Sequence, residues 1–222
     1  MEKCNYRKDP HQDIDHVFRD LLPAHGMVER PAQVELSHQM LDAMLNGSIA
    51  LCDAGTGIGK TYAYLVAGVV FRRYRSRAGL PNQPLLISTS SIALQGAIIH
   101  DYLPFLSKVM MADGMLDSPL RAVLRKGKSP YVCDARLMKR LQTANLDRKN
   151  PLAKAALLSM RDHLDLDMAP HLSGYDRERI CVPPTCDCGK TECRYLCYLD
   201  VCASERYAIQ VCNHNLLLAD AI

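Results

Sequence analysis

The sequence predicts an α/β fold with a parallel sheet, together with a loop-rich, cysteine-rich stretch before its last strand, and three observations carry that prediction. Short apolar runs alternate with helix-period segments through the first half of the chain. A glycine-rich turn, Asp53-Ala-Gly-Thr-Gly-Ile-Gly-Lys-Thr61, lies between one such run and one such helix. Seven of the ten cysteines fall between Cys181 and Cys212, where the regular pattern gives way to Pro, Gly and Asp.

Taken in order, residues 11–22 place Ile14, Val17, Phe18, Leu21 and Leu22 at helical spacing, with Pro23 as the stop. A second helix is expected from Pro31 to about Leu45, with Val34, Met40, Leu41, Met44 and Leu45 inward, before Asn46-Gly47 turns the chain. Ile49-Ala-Leu-Cys52 reads as a buried strand, and Tyr62 to Val70, after the glycine turn, reads as a helix. The arginines between Arg72 and Arg77 suit a helix C-terminus, and residues 79–84 read as a loop. Pro84-Leu-Leu-Ile-Ser-Thr-Ser90 predicts a second strand and Ile92 to Leu103 a second covering helix. Residues 120–124 read as a third strand, and 133–144 and 151–166 as helices. Residues 168–191 have the look of a loop-rich module; a short helix at 203–208, a strand at Ile209-Gln-Val-Cys212 and a helix from Asn215 follow.

The turn ending in Gly59-Lys60-Thr61 fits the phosphate-binding P-loop, with Ala54 in place of its first glycine. Backbone N–H groups of Ala54, Gly55, Thr56, Gly57, Ile58 and Gly59 can converge on phosphates, the Lys60 ammonium neutralises the β and γ oxygens, and the Thr61 hydroxyl can join Mg²⁺. The order of strand, turn and helix separates this from a glycine-rich surface loop beside an ordinary lysine, so the turn predicts nucleoside triphosphate binding.

Composition sets the bounds. With 222 residues and 48% hydrophobic content the chain can build one large domain or two small ones, which excludes a disordered protein. It has no apolar run of about 18 residues, and its opening stretch lacks an apolar signal core, so a cytoplasmic protein without a membrane span is expected. A net charge of +3 does not by itself announce a polyanionic partner.

Five stretches then occur in a recognisable order: Arg30-Pro-Ala-Gln33, the loop at 54–61, Ser88-Thr-Ser-Ser-Ile-Ala-Leu-Gln95, Lys126-Gly-Lys-Ser-Pro-Tyr-Val-Cys133, and Cys212-Asn-His-Asn-Leu-Leu-Leu-Ala-Asp220. Together they cover nearly the whole chain, which thereby resembles the N-terminal part of the DinG family of superfamily 2 DNA helicases, relatives of the XPD-type iron–sulfur helicases. The resemblance implies a RecA-like P-loop motor domain with a helical, cysteine-rich insertion inside it. Residues 1–118 would be the first part of the motor, 119–202 the iron–sulfur insertion, and 203–222 the return to the motor. It implies ATP and Mg²⁺ as ligands, single-stranded and forked DNA as partner, and 5′ to 3′ translocation; it leaves open a role in repair, replication, or plasmid- or CRISPR-associated processes, and the oligomeric state.

Carried over position by position, the resemblance places Arg30 and Gln33 in the motif upstream of the P-loop. There the Gln33 amide offers the donor and acceptor that an adenine edge needs; as a plain residue it would be a surface helix position. Thr89 and Gln95 fall where the family contacts the DNA backbone, although Ser90, Ser91 or Thr89 would equally cap the following helix. Lys126 and Lys128 lie in a basic stretch, Pro119 to Lys154, that either guides DNA or forms a solvated helix face. Tyr131 would stack on a base or pack beside the cluster.

The same resemblance implies a 4Fe–4S cluster on four thiolates, Cys133 first, with Cys188, Cys193 and Cys197 completing the set and Cys186 and Cys202 as alternates. The four-residue gap between Cys188 and Cys193 matches the family; the interval to Cys197 is shorter than usual. Four thiolates also suit tetrahedral zinc, which is the competing occupant. A cluster would staple a segment expected to be too loop-rich for a core of its own.

Hydrolysis needs an acidic pair for Mg²⁺ and arginines from a second lobe. In the family the D-E-A-H box comes shortly after the stretch matching 212–220, so this chain, which stops at Ile222, is expected to be the front portion of a helicase motor, inactive in isolation. Three functions remain: an ATP-driven DNA helicase in the complete protein, a non-enzymatic ATP- and DNA-binding module, or a zinc-stapled P-loop NTPase.

Overall fold

The structure, a computed structural model, describes residues 9–143, 151–186 and 193–221. Asp9 opens the first helix by accepting from the His11 backbone N–H at 3.0 Å, and Pro10 takes the first helical position, where a missing N–H costs nothing. α1 (Pro10–His16) passes through a π-helical turn at Val17–Leu21 into α2 (Leu22–Ala24), burying Ile14, Val17, Phe18 and Leu22. α3 (Pro31–Asn46) also starts on a proline and ends at Gly47. α4 (Lys60–Arg77) buries every residue from Leu65 to Val70, so it is sunk in the core rather than laid on it.

The sheet has three strands, β1 (Leu85–Ser88), β2 (Ala122–Leu124) and β3 (Ile209–Cys212), in the order β1-β3-β2. Both pairings are parallel, and Leu85 and Ala122 lie on either side of Ile209. The middle strand β3 is buried at all four positions, as a strand covered on both faces must be. α5 (Ile92–Ala97) continues through a π-helical turn at Ile98–Tyr102 into α6 (Leu103–Ala112), which buries Leu103, Leu106, Val109 and Met110. A side chain at Gly68 would place its Cβ 2.2 Å from Leu85 Cδ2, so glycine there lets α4 lie directly against β1.

Three of the expected strands form and one does not. Ile49–Cys52 has no strand geometry, and Ile49 and Leu51 are 93% and 96% exposed. An apolar run becomes a strand only where a neighbour takes its hydrogen bonds and a face covers it, and no described strand does so here. The expected α/β, RecA-like class is thereby corrected: the described fold is mostly α-helical with a small, open, three-stranded sheet.

The chain divides into two compact units, one of residues up to Leu124 with Glu205–His214, the other of Arg125–Ser204 with the residues from Asn215. The second unit contains α7 (Asp134–Thr143), α8 (Pro151–Ser159), a 3-10 turn at Leu166–Met168, α9 (Gly174–Ile180) and α10 (Arg194–Ala203); α11 (His214–Ala221) follows β3. Order in this unit exceeds what its Pro, Gly and Cys content suggests, because Ser173 caps α9 by accepting from the Asp176 N–H at 3.1 Å and α10 occupies part of the cysteine-rich run. The helix expected at 203–208 does not form: Ala203 is the last residue of α10, and residues 204–208 are turn and coil. Val132, Leu137, Leu157, Met160, Leu166 and Ile180 pack into an apolar core of the unit's own. Asp134 accepts from Arg194 at 2.5 Å, and the buried Asp176 from Arg140 at 2.7 Å. Among the described residues no helix is long and apolar enough to cross a membrane.

Candidate nucleotide-binding site

The glycine turn gets its shape from two residues in the left-handed region, Gly57 at φ 85° and Gly59 at φ 88°. L side chains clash with the backbone at such angles, so only glycine holds them without strain. Gly59 is also the N-cap of α4, so Lys60 is the first helical residue and the unpaired N–H groups of the first turn lie at the end of the loop. Asp53, Gly55, Thr56, Gly57 and Lys60 are exposed, while Ala54, Ile58, Gly59 and Thr61 are partly buried. Lys60 Nζ donates to the carbonyls of Ala54 at 2.7 Å and Gly55 at 3.0 Å. The loop therefore curls around its own ammonium, and an arriving phosphate would exchange two neutral acceptors for a charged one.

Helix α3 fixes the other side of the loop. Gln33, 3% exposed, donates from Nε2 to the Gly59 carbonyl at 2.6 Å, and the Arg30 guanidinium donates to the Gly57 carbonyl. The amide assigned by resemblance to an adenine edge is thus placed against the backbone of the P-loop. A Cβ on Gly59 would come within 2.1 Å of Gln33 Nε2, so the glycine is needed for the contact as well as for the angle. One turn further along α3, fully buried Ser37 donates to the Ala63 carbonyl of α4 at 3.0 Å. Sequence reading missed Ser37; a polar pair at i and i+4 on an apolar helix face was the available signal.

Thr89 and Gln95 come together at the end of β1. Gln95, 7% exposed, donates from Nε2 to the Thr89 carbonyl at 2.8 Å, Thr89 N–H donates to the Cys212 carbonyl at 3.0 Å, and Thr89 Oγ1 accepts from Ser91 N–H at 3.2 Å. The cap of α5 is Ser91, which accepts from the Leu94 N–H at 3.2 Å.

In the second unit Lys126 Nζ is paired with Asp165 at 2.6 Å and Asp167 at 2.8 Å. Burial pulls its pKa down, but the two carboxylates outweigh that and raise it, while Asp167 is held below the usual carboxylate range chiefly by Lys126. Lys128 donates to the Pro184 carbonyl at 3.0 Å, and Arg136 to the carbonyl of Cys181 at 2.7 Å and of Glu178 at 3.0 Å. Much of the basic stretch is therefore engaged in holding its own unit together. Tyr131, 3% exposed, packs its ring against Tyr195 and Tyr198, each at 5.2 Å between centroids.

The expected iron–sulfur centre, and zinc as its alternative, is corrected by the side-chain arrangement. Among the described residues no group of three or more His, Cys, Asp or Glu is placed to hold a metal ion. Cys133, 7% exposed, packs with Tyr131, Val182 and Tyr195. Cys202 is buried on α10, where desolvation pushes its thiol pKa up, whereas Cys197 on the same helix and Cys186 before it are exposed. Cys193, partly buried, stands at the start of α10. These environments differ from one another and do not make a common donor set; Cys188 lies outside the described residues. The premise that this segment lacks a core fails with it, since its apolar core is present.

A cavity of about 810 Å³ lies elsewhere, lined by Arg72 and Arg77 near the end of α4 and by Asn82, Arg121 and Arg206 just before the strands or leading into them. α4 has 18 residues, about 27 Å of helix, so Arg77 at its far end is distant from Lys60 at its start. Size alone does not make this the nucleotide site, because the cavity carries arginines already committed: Arg77 and Arg73 both donate to the buried Asp13 at 3.0 Å.

No family model matches the chain. It is 30% identical over 144 residues to the 3′-5′ exonuclease DinG of Bacillus subtilis, a match covering 65% of this chain and 14% of that protein. It is 31% identical over 129 residues to the ATP-dependent DNA helicase YoaA of Haemophilus influenzae, covering 58% and 18%. It is 35% identical over 85 residues to the ATP-dependent DNA helicase DinG of Photobacterium profundum, covering 38% and 10%. The chain thus spans less than a fifth of the length of each of these relatives. Over part of its length the chain is thus homologous to the DinG and YoaA superfamily 2 DNA helicases.

Proposed function

We propose that the chain carries the ATP-binding loop of an ATP-dependent DNA helicase that moves 5′ to 3′ on single-stranded DNA. The observation that carries this reading is the loop itself: two left-handed glycines, a lysine wrapped by the loop carbonyls, and an 18-residue helix beginning at that lysine. These parts fit a nucleotide with its Mg²⁺. N–H groups at the start of α4 and the Lys60 ammonium face the charge of the phosphates, and the Thr61 hydroxyl offers the metal an oxygen. Arg30 and Gln33 hold the loop carbonyls and keep that geometry ready before nucleotide arrives. Thr89 and Gln95, at the end of a parallel strand, are the candidates for the DNA backbone from this unit, with Lys126 and Lys128 in the second. For Lys126 that role requires it to leave Asp165 and Asp167 or to act beside them.

The test is nucleotide affinity of the protein and of Lys60→Ala, measured with a fluorescent ATP analogue. Lys60→Ala is expected to weaken binding at least tenfold, as loss of a charge-assisted contact to phosphate does. Unchanged affinity in the variant would remove the P-loop from the nucleotide site.

A further inference from the structure

Tyr64 raises a question that packing does not answer. It lies on α4 three residues after Thr61, and helical side chains lean towards the helix N-terminus, which carries its phenol back over the turn that holds Thr61. Its hydroxyl oxygen is closed off from solvent and, among the described residues, meets hydrogen-bond geometry with no partner. A buried hydroxyl left unpaired is costly, so phenylalanine would serve better if filling space were the only task. The neighbouring ring pair, Tyr62 edge-on to Tyr102 with centroids 5.2 Å apart, gives the Tyr64 oxygen no hydrogen bond.

We infer that Tyr64 is a positioning residue for the metal that accompanies the nucleotide: its oxygen accepts the Thr61 hydroxyl proton and so turns the Thr61 lone pairs towards Mg²⁺. The inference rests on the nucleotide-binding reading of the loop. A threonine hydroxyl has one proton and two lone pairs. An oxygen committed to a cation must send its proton elsewhere, and the Tyr64 oxygen, one turn further along α4, is placed to accept it. The electrostatics of the site agree. Burial raises the Tyr64 pKa, and the influence that lowers it is the Thr61 hydroxyl, near enough to act on the phenol oxygen although it falls short of hydrogen-bond geometry here. The orphaned oxygen thus acquires a partner in the state where Thr61 faces the metal.

Tyr64→Phe separates the roles. Calorimetric titration of the full chain with ADP is carried out with Mg²⁺ and with EDTA, alongside thermal melting of ligand-free protein. The expected result is an unchanged or higher melting temperature, unchanged affinity without metal, and affinity with Mg²⁺ weakened about tenfold, the scale of one hydrogen bond to an ion-bound group. In a Thr61→Val background the same change is expected to add nothing further. A Tyr64→Phe protein whose Mg²⁺ enhancement equals that of the unmutated protein overturns the inference, and so does a variant that melts lower with that enhancement intact. If the unmutated protein binds ADP neither with nor without Mg²⁺, the nucleotide reading itself fails and the inference falls with it.

Discussion

Gly59 joins backbone angle and side-chain contact at a single atom. Gly57 and Gly59 share nearly the same φ, 85° and 88°, but a Cβ on Gly57 meets nothing within 4 Å whereas one on Gly59 meets Gln33. Gly57→Ala is therefore expected to lose about 1–2 kcal/mol of stability from the left-handed backbone alone. Gly59→Ala should lose that and also expel the Gln33 amide, weakening nucleotide affinity further; urea unfolding of both variants, with nucleotide titration, measures the difference. Equal behaviour of the two variants would show that the Gln33 contact contributes nothing. At this scale the loop was legible in the sequence because its residues are contiguous. The partners of Asp13 were not: Arg73 and Arg77 lie 60 and 64 positions away, and no local pattern reports a pairing made by the fold.

Among the elements, the helices were the readable part, since a 3.6-residue apolar period survives whatever the helix packs on. Strand β3 was legible as an apolar run with the β-branched Ile209 and Val211, but Ile49–Cys52 shows the same signal without the outcome, because strand formation depends on a partner elsewhere in the chain. Contacts between elements also bring a pH dependence. His16, at the end of α1, bonds Asp20 at 2.8 Å and Asp113, just beyond α6, at 3.1 Å. The Asp20 hydrogen bond, aided by Asp113 and opposed by burial, raises the His16 pKa in the folded protein. A raised folded value means that the stabilisation is fully present below the ordinary histidine pKa of about 6.5 and is lost as pH rises through the folded value. Denaturant midpoints of the protein and of His16→Gln should therefore differ at pH 5.5 and converge by pH 8.5. A gap independent of pH would mean that the contact is not ionic.

At the scale of the molecule, two compact units share one chain, and the second carries its own apolar core. Leu157 and Met160 are fully buried there. Leu157→Ala is expected to cost about 2–5 kcal/mol, the range for truncating a buried leucine, and to show as an earlier transition in denaturant. No shift would mean that the unit is held by something other than this core. Cysteine density suggested a different principle of construction. The thiols stand out in composition, whereas the core residues are scattered between Val132 and Ile180, and only the folded chain shows that they meet.

The grip of α3 on the P-loop has a practical side. Arg30 and Gln33 hold carbonyls of a loop that begins some twenty residues later, so the curvature of that loop is also set from outside. Tilting α3 by repacking its buried face at Val34 or Leu41 would retune nucleotide affinity while every letter of the P-loop stayed the same. Chains with identical loops would then differ in how tightly they hold a phosphate, by a dial that the motif itself does not display.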